Sequence, residues 1–283
     1  MSSRRKQQGF TLIELIITIV LGGIVASITS SILTQPINAY IDSSRRATLT
    51  NSAESALRRM QRDIRSALPN SIRISADGKT LELLHIINGG RYRVFKDASN
   101  AACASSSIAS DCNVLNFTLA DTSFDIFGDL QNFTDITIGA DKIAVYPLNT
   151  IGNNAYAGDN TVTVGAGSTA SRLSFSAFKF PLKSPAQRFF IIDTPVSYHC
   201  DTSAPATKDK VLLRYQGYAI QAIQATPPTT GAAIQANYIA DCEFSYNAGS
   251  SSRSGLVTLA LTLTDGSGES VRLMHQVHVN NQP

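Results

Sequence analysis

The sequence predicts an α+β protein in which one long N-terminal α-helix packs on an antiparallel β-sheet domain. Three observations carry this prediction. Residues 10–33 are almost wholly apolar, residues 49–68 repeat apolar side chains every three or four positions, and from residue 72 apolar and polar residues alternate. These patterns are typical of a membrane helix, an amphipathic helix and half-buried strands, in that order.

The first nine residues form a short basic leader, and a membrane-length apolar helix follows it. Arg4, Arg5 and Lys6 precede Gly9, and the apolar run of residues 10–33 contains a single charged residue. At ~1.5 Å per residue this run reaches about 36 Å, enough to cross a bilayer core of about 30 Å. Because basic flanks stay cytoplasmic, the C-terminal bulk is expected on the other side of the membrane.

The one charge in the apolar run, Glu14, separates three interpretations of this N-terminus. A secretory signal peptide would share the basic start and the apolar run, and residues 25–27 would suit its small-residue cleavage site. A plain membrane anchor is the other alternative. A carboxylate costs about 2.5–3.5 kcal/mol at the centre of a membrane helix, and neither alternative gives Glu14 a purpose.

Helix-weakening residues lie inside and directly after the apolar run. Gly22 and Gly23 each lower helix stability by about 1 kcal/mol relative to Ala, and Pro36 by about 3 kcal/mol. We expect Pro36 to kink the helix or to begin a new segment, which places the membrane or filament-core helix at residues 10–36. The two glycines and Pro36 are candidate sites of helix flexibility, although many membrane helices simply tolerate Gly and Pro.

Residues 37–69 are predicted to form an amphipathic helix. Its apolar face is formed by Leu49, Ala53, Leu57, Met60, Ile64 and Leu68, and its polar face carries Arg45, Arg46, Arg58, Arg59, Arg62 and Arg65. Two pairs of opposite charge lie four residues apart, Glu54 with Arg58 and Arg59 with Asp63, and each is worth a few tenths of a kcal/mol. The arginines suit a solvated face, or contacts with anionic lipid or acidic neighbours. We expect the apolar face to dock on the sheet.

Residues 70–283 are predicted to form a β-rich globular domain. The strand candidates are residues 72–74, 81–86, 92–95, 116–119, 142–146, 172–180, 188–192, 211–220, 240–246, 256–264 and 271–279. Turns are expected at residues 77–78, 88–90 and 265–268, so that the first three strands form a meander. The loops at residues 97–113, 149–170, 201–209 and 225–236 are candidate interaction surfaces or tolerated insertions.

Four cysteines indicate disulfides formed in an oxidising compartment. Cys103, Cys112, Cys200 and Cys242 are widely spaced and include no C-x-x-C pair. Four cysteines allow three pairings. The short loop favours Cys103 with Cys112, which leaves Cys200 for Cys242, while four buried free thiols in a cytosolic protein are the alternative.

Neither charge nor motif points to catalysis or to nucleic acid. The formal net charge of +3 is that of the leader, so the remainder is close to neutral and gives no basis for nucleic-acid binding. Residues 165–170 match a dinucleotide fingerprint, but a strand pattern rather than a helix follows. His275 and His278 would face opposite sides of a strand, His85 and His199 are isolated, and a loop calcium site at Asp201 is not supported by an ordered ligand run. We expect no enzymatic activity, no cofactor and no metal.

The sequence GFTLIEL at residues 9–15 resembles the processing site of the type IV pilin-like (prepilin N-methylation) family. The resemblance implies that a membrane prepilin peptidase cuts between Gly9 and Phe10 and methylates the new amino group of Phe10. It also implies that Glu14 pairs with the Phe10 ammonium of a neighbouring subunit during assembly, since two opposite charges attract strongly in low dielectric.

The same resemblance implies the partners and the location of the chain. The partners would be the prepilin peptidase, other pilin or pseudopilin subunits through the N-terminal helix, an inner-membrane assembly platform, and membrane lipid. The chain would cross the inner membrane once, with its C-terminal domain in the periplasm, and would be incorporated in a surface pilus.

Three roles remain open within that family. Residues 36–42, 44–47, 56–60, 67–71 and 274–279 are similar to minor pilin-like proteins of the mannose-sensitive haemagglutinin (MSHA) pilus system of Gram-negative bacteria. Such a subunit primes or takes part in pilus assembly, with adhesion and surface motility as the outcome. The alternatives are a tip-proximal pseudopilin of a type II secretion system, and a carbohydrate-binding tip adhesin whose aromatic candidates are Tyr156, Tyr198 and Tyr238.

Overall fold

The fold is known from a computed structural model, which describes residues 9–95, 113–249 and 254–279, without the side chains of residues 30, 31, 33 and 34. The described residues form two compact units, one ending at Thr48 and the other beginning at Leu49. The helix α1 (Leu12–Arg65) contributes to both. A long helix with a multi-stranded antiparallel domain confirms the predicted α+β class.

The helix α1 is a single α-helix of 54 residues with Pro36 inside it. Pro36 has no N–H to donate to the carbonyl of Ile32, which removes one of the many hydrogen bonds along the helix. No new helical segment begins at Pro36, contrary to one of the two outcomes expected there. The helix ends at Arg65, just before the Leu68 N–H donates to the Leu84 carbonyl oxygen at 2.8 Å.

Twelve strands follow in the described part of the chain, all paired antiparallel. They are β1 (Arg73–Ile74), β2 (Thr80–Arg91), β3 (Asp121–Asp125), β4 (Lys142–Val145), β5 (Thr161–Thr163), β6 (Arg172–Phe178), β7 (Arg188–Asp201), β8 (Val211–Tyr215), β9 (Ala232–Asn237), β10 (Ile239–Asn247), β11 (Gly255–Thr264) and β12 (Ser270–Val279). Single 3₁₀ turns lie at Phe133–Asp135 and Thr207–Asp209.

The strands form three sheets. The largest has seven strands in the order β1-β2-β7-β4-β5, with β8 paired to β7 and β9 paired to β8. The second sheet is the meander β10-β11-β12, and the third is the pair β3-β6. The 14-residue strand β7 is central, because it pairs with β2, β4 and β8.

Two main apolar clusters hold the globular unit together. The first joins the buried face of α1 to the seven-stranded and three-stranded sheets, and its helical members are Leu49, Ala53, Ala56, Leu57, Met60 and Ile64. The second is rich in aromatic residues, with the Phe124 ring 5.2 Å from that of Phe189 and 5.9 Å from that of Phe175 between centroids. The predicted apolar face of the amphipathic segment is therefore the face that packs on the strands.

Several predicted strands are present near their expected bounds. β4, β6, β10, β11 and β12 match the predicted segments, and the turn at residues 265–268 closes the hairpin of β11 and β12 as expected. The turn at residues 77–78 is also present, with Gly78 at a φ of 69°.

The predicted three-stranded meander of residues 72–95 is present only in its first hairpin, in which β1 pairs with β2, and its second turn, at residues 88–90, is wrong. Residues 88–90 lie inside β2, which runs on to Arg91 in register with β7. A Cβ added at Gly90 would meet the Phe189 ring at 3.0 Å, so this glycine makes room for an aromatic side chain rather than forming a turn. Residues 92–95 form only the isolated bridge of Tyr92 with Ile126, and residues 116–119 form a bend instead of a strand.

Candidate functional site

The start of α1 is fixed by a side-chain cap. The Thr11 Oγ1 accepts a hydrogen bond from the Glu14 N–H at 3.4 Å, and the Leu15 N–H donates to the Thr11 carbonyl oxygen at 3.2 Å. Thr11 is thus the N-cap and Glu14 the third helical residue, the spacing of a capping box. The sequence analysis missed this role, although the T-x-x-E spacing of residues 11–14 is a signal for it.

Glu14 lies in the first turn of α1, not at the middle of the apolar run. Negative charge at this end of a helix is favoured by the helix dipole, by about 0.3–1 kcal/mol. The mid-helix insertion cost used in the sequence argument is therefore too high for this position. Within the described residues the Glu14 carboxylate makes no ion pair.

The first part of α1 is apolar on every side and is not covered by the chain. The window Leu12–Thr29 has a mean hydropathy of 2.3, and none of it is buried. Phe10, two residues before the helix, is 79% exposed. A helix that is hydrophobic all round is stable only in lipid or against other helices, so this segment requires a partner that the described residues do not provide.

The threonine hydroxyl groups at Thr18 and Thr29 are satisfied within the helix. The Thr18 Oγ1 donates to the Leu15 carbonyl oxygen at 2.9 Å, and the Thr29 Oγ1 donates to the Val25 carbonyl oxygen at 2.8 Å. Because no water is present in a bilayer core, such internal bonds remove the cost of burying these groups there.

Gly22 and Gly23 have no neighbour in the chain that requires a glycine. A Cβ added at either position would meet no heavy atom within 4 Å. Packing inside one subunit therefore does not explain these glycines. Their assignment to helix flexibility remains a prediction.

A buried ionic contact fixes the second part of α1 to the strands. The Asp63 Oδ2 accepts a hydrogen bond from the Arg214 Nε at 2.7 Å and another from the Tyr198 OH at 2.8 Å. Burial, followed by the Asp63 charge, raises the pKa of Tyr198, which keeps its hydroxyl a donor. The predicted pair of Asp63 with Arg59 is not formed because Asp63 faces β7 and β8, whereas the predicted pair of Glu54 with Arg58 is present at 2.5 Å.

A second buried carboxylate, Glu82, ties a loop to β1 and β2. It is 1% exposed and pairs with the Arg73 Nε at 2.5 Å, while the Tyr218 OH donates to its Oε1 at 2.9 Å. The Arg73 guanidinium also donates to the Ala222 and Gln221 carbonyl oxygens at 2.7 and 2.9 Å. Every group of the cluster is paired and the Glu82 carboxylate is enclosed, which makes this cluster a structural junction.

The disulfide of Cys200 and Cys242 joins β7 to β10, with 6.4 Å between the two Cα atoms. It links the seven-stranded sheet to the three-stranded sheet. The expected pair of Cys103 with Cys112 lies outside the described residues.

The positions singled out for chemistry are not brought together. Among the described residues, no group of three or more His, Cys, Asp or Glu side chains is placed to hold a metal. Residues 165–170 form the connection to β6, so a strand follows the glycine pattern, as expected. Of the aromatic candidates for sugar stacking, Tyr156 and Tyr198 are buried, and only Tyr238, at 37% exposure, is partly open.

A protein-family model described as the prokaryotic N-terminal methylation motif matches residues 4–30. This match covers the basic residues before Gly9, the capped start of α1 and the uncovered apolar segment, and it indicates a type IV pilin-like or pseudopilin-like protein. Proteins with this motif are structural subunits, and the motif with its apolar helix is consistent with membrane anchoring. No curated protein and no solved structure matches the chain.

Proposed function

We propose that the chain is a minor structural subunit of an MSHA-type type IV pilus, similar to the minor pilin MshO, and that it primes or takes part in pilus assembly. One observation carries the proposal. An apolar helix with a methylation motif lies uncovered over Leu12–Thr29 and holds one carboxylate, Glu14, in its first turn. The five local sequence resemblances to MSHA minor pilins support the choice of pilus.

The proposed maturation is a cut between Gly9 and Phe10 followed by N-methylation of Phe10. Gly9 and Phe10 precede the helix and are exposed, which suits access by a membrane peptidase. Residues 1–9 would be the cytoplasmic leader, residues 10–36 the membrane and filament-core helix, residues 37–69 the amphipathic segment, and residues 70–283 the periplasmic domain.

The new ammonium of Phe10 would be paired by Glu14 of an adjoining subunit in the filament core. Two opposite charges in low dielectric attract strongly, while either one alone is costly there. Flexibility at Gly22, Gly23 and Pro36 would help the helix to fit its neighbours. The partners would be the prepilin peptidase, other subunits, the inner-membrane platform and lipid.

The disulfide of Cys200 and Cys242 supports a periplasmic location for the globular domain, because such bonds persist in oxidising compartments. A bridge of Cys103 with Cys112 is proposed with it.

A tip-proximal pseudopilin of a type II secretion system has the same N-terminal helix. Recovery of the chain in pili sheared from the cell surface supports the pilus, whereas its presence only in the cell envelope supports the secretion system.

N-terminal sequencing of the membrane-extracted protein tests the maturation step. We expect the mature chain to start at a methylated Phe10, and Gly9→Ala to leave the leader uncut. A wild-type start near Ser27 or Ile28 would mean ordinary secretion and would contradict the proposal.

Glu14→Ala tests assembly separately from cleavage, with Glu54→Ala as the matched control. Glu54 lies on the same helix, where its only ion pair within the described residues is the exposed contact with Arg58. We expect Glu14→Ala to be cut normally but to reduce the number of surface pili, counted by electron microscopy, and Glu54→Ala to behave as wild type. Normal piliation with Glu14→Ala would refute the pairing.

A further inference from the structure

An open cavity in the globular unit has no role in the proposed filament contacts. It lies where β3 and β6 meet the connection that precedes β6, and its volume is about 390 Å³. The polar side chains that line it are Arg93, Asp125, Thr169, Ser171 and Arg172. Thr169 and Ser171 are exposed, so the cavity opens to solvent.

The floor of the cavity is held in place by the backbone and by one ion pair. Asp125 is opposite Arg172 in the pairing of β3 with β6, and the Arg172 Nε donates to the Asp125 Oδ1 at 2.6 Å. The Asn113 N–H donates to the other oxygen, Oδ2, at 2.8 Å. The Arg93 N–H donates to the Asp125 carbonyl oxygen at 3.0 Å, which brings a second arginine to the same cavity.

The charges in the cavity do not balance. Two arginines and one aspartate line the cavity, and the Asp125 carboxylate already accepts hydrogen bonds on both oxygens. Within the described residues the Arg93 guanidinium makes no ion pair, and its aromatic contact is with Phe127, 5.9 Å from the ring centroid. Counted over the described residues that line it, the cavity therefore has one excess positive charge and unused N–H donors, which is the chemistry that recognises a carboxylate, sulfate or phosphate oxyanion.

The surroundings of the arginines favour an oxyanion carried on a sugar. Phe127 is 72% exposed beside Arg93, and an exposed aromatic ring can stack on the apolar face of a pyranose. The Thr169 and Ser171 hydroxyl oxygens lie 3.3 Å apart at the rim, where they can exchange hydrogen bonds with ring hydroxyls. The volume of about 390 Å³ lies within the range of small-ligand sites.

We propose that this cavity binds an acidic saccharide unit, a uronate or a sulfated pyranose. Arg93 and Arg172 hold the anionic group, Thr169 and Ser171 contact the hydroxyls, and Phe127 packs on the ring. The proposal concerns the globular unit alone, so it stands or fails independently of filament assembly.

Isothermal titration of the full-length protein in detergent micelles with a galacturonate trisaccharide tests the site. We expect saturable binding, weakened about tenfold or more by Arg93→Gln, because a hydrogen bond to a charged group is lost. Arg93→Gln leaves the ion pair of Asp125 and Arg172 intact, so the variant should remain folded. The matched control is Arg272→Gln, an exposed arginine on β12 that lies outside the cavity.

Titrations with further ligands distinguish an anionic saccharide from a free inorganic anion. A sulfated galactose oligomer should also bind, whereas neutral galactose and N-acetylglucosamine oligomers should not. Equal affinity for inorganic sulfate or phosphate would mean that only a free oxyanion is recognised and would overturn the saccharide assignment. Absence of binding, binding of neutral sugars, or an equal loss with Arg272→Gln would overturn the site.

Discussion

Replacing Asp63 by Asn should destabilise the globular unit far more than the number of lost atoms suggests. The Asp63 and Arg214 side chains are 15% and 10% exposed, and one carboxylate oxygen serves both Arg214 and Tyr198. Breaking a buried pair by removing one charge costs about 3–5 kcal/mol. We expect about 3 kcal/mol for Asp63→Asn, the lower end, because the amide oxygen still accepts one hydrogen bond.

Urea unfolding of the full-length protein in detergent, followed by near-ultraviolet circular dichroism, measures this loss. The chain contains tyrosine but no tryptophan, and Tyr198 lies directly at the contact. With a urea slope of about 1–3 kcal/mol/M, the midpoint should fall by about 1 M or more. Tyr198→Phe, which removes one bond and no charge, should cost about 1 kcal/mol.

Glu54→Gln is the control for the same measurement. It removes a carboxylate from the same helix, but its pair with Arg58 is exposed and should contribute at most about 0.5 kcal/mol. If Asp63→Asn shifts the midpoint no further than Glu54→Gln, the reasoning that a buried pair anchors the helix is wrong.

Three further outcomes are expected. Cys200→Ser with Cys242→Ser should cost about 4 kcal/mol by the chain-entropy relation for a separation of 42 residues, and unchanged thermal unfolding would contradict this. The hydrogen bond that the His85 ring donates to Asp193 raises the pKa of His85, so its stabilisation is full below the unfolded-state pKa and is lost as pH rises through the folded-state value. An NMR titration should therefore show the pKa of His85 falling in Asp193→Asn, and an unchanged value would exclude that bond as the cause. Gly22→Ala should leave the circular dichroism of the isolated protein unchanged, because the added Cβ meets nothing within 4 Å, and a loss of helix signal would refute this.

The elements predicted well from the sequence are those whose own pattern settles their structure. The apolar helix, its amphipathic continuation and the last three strands have clear periods, and the turn at residues 265–268 has the residues that its conformation needs. In each case local preference and final structure agree.

The strands that were missed or misplaced depend on distant residues. The second half of β7 contains Pro195, and proline usually interrupts a strand. Here Pro195 lies beside an irregularity in the register with β2, where a missing N–H is tolerated. β9 is rich in alanine and has no strong strand preference, so its pairing with β8 decides its structure. Local sequence does not contain this information.

The candidate functional residues likewise differ in whether local sequence is enough to predict them. Gly9, Phe10 and Glu14 lie within seven consecutive residues, and a short motif is visible without any fold. The cavity of Arg93 and Arg172 was not predicted, because these residues are far apart in sequence and meet only through the pairing of β3 with β6.

The link between Cys200 and Cys242 closes a covalent ring that contains the exposed connection at residues 216–231. A protease that cuts this connection would open the ring without releasing either fragment. A nicked molecule would therefore migrate as one intact chain on a non-reducing gel and as two pieces after reduction. A subunit on the outside of a cell would in this way keep its seven-stranded and three-stranded sheets covalently joined after a cut.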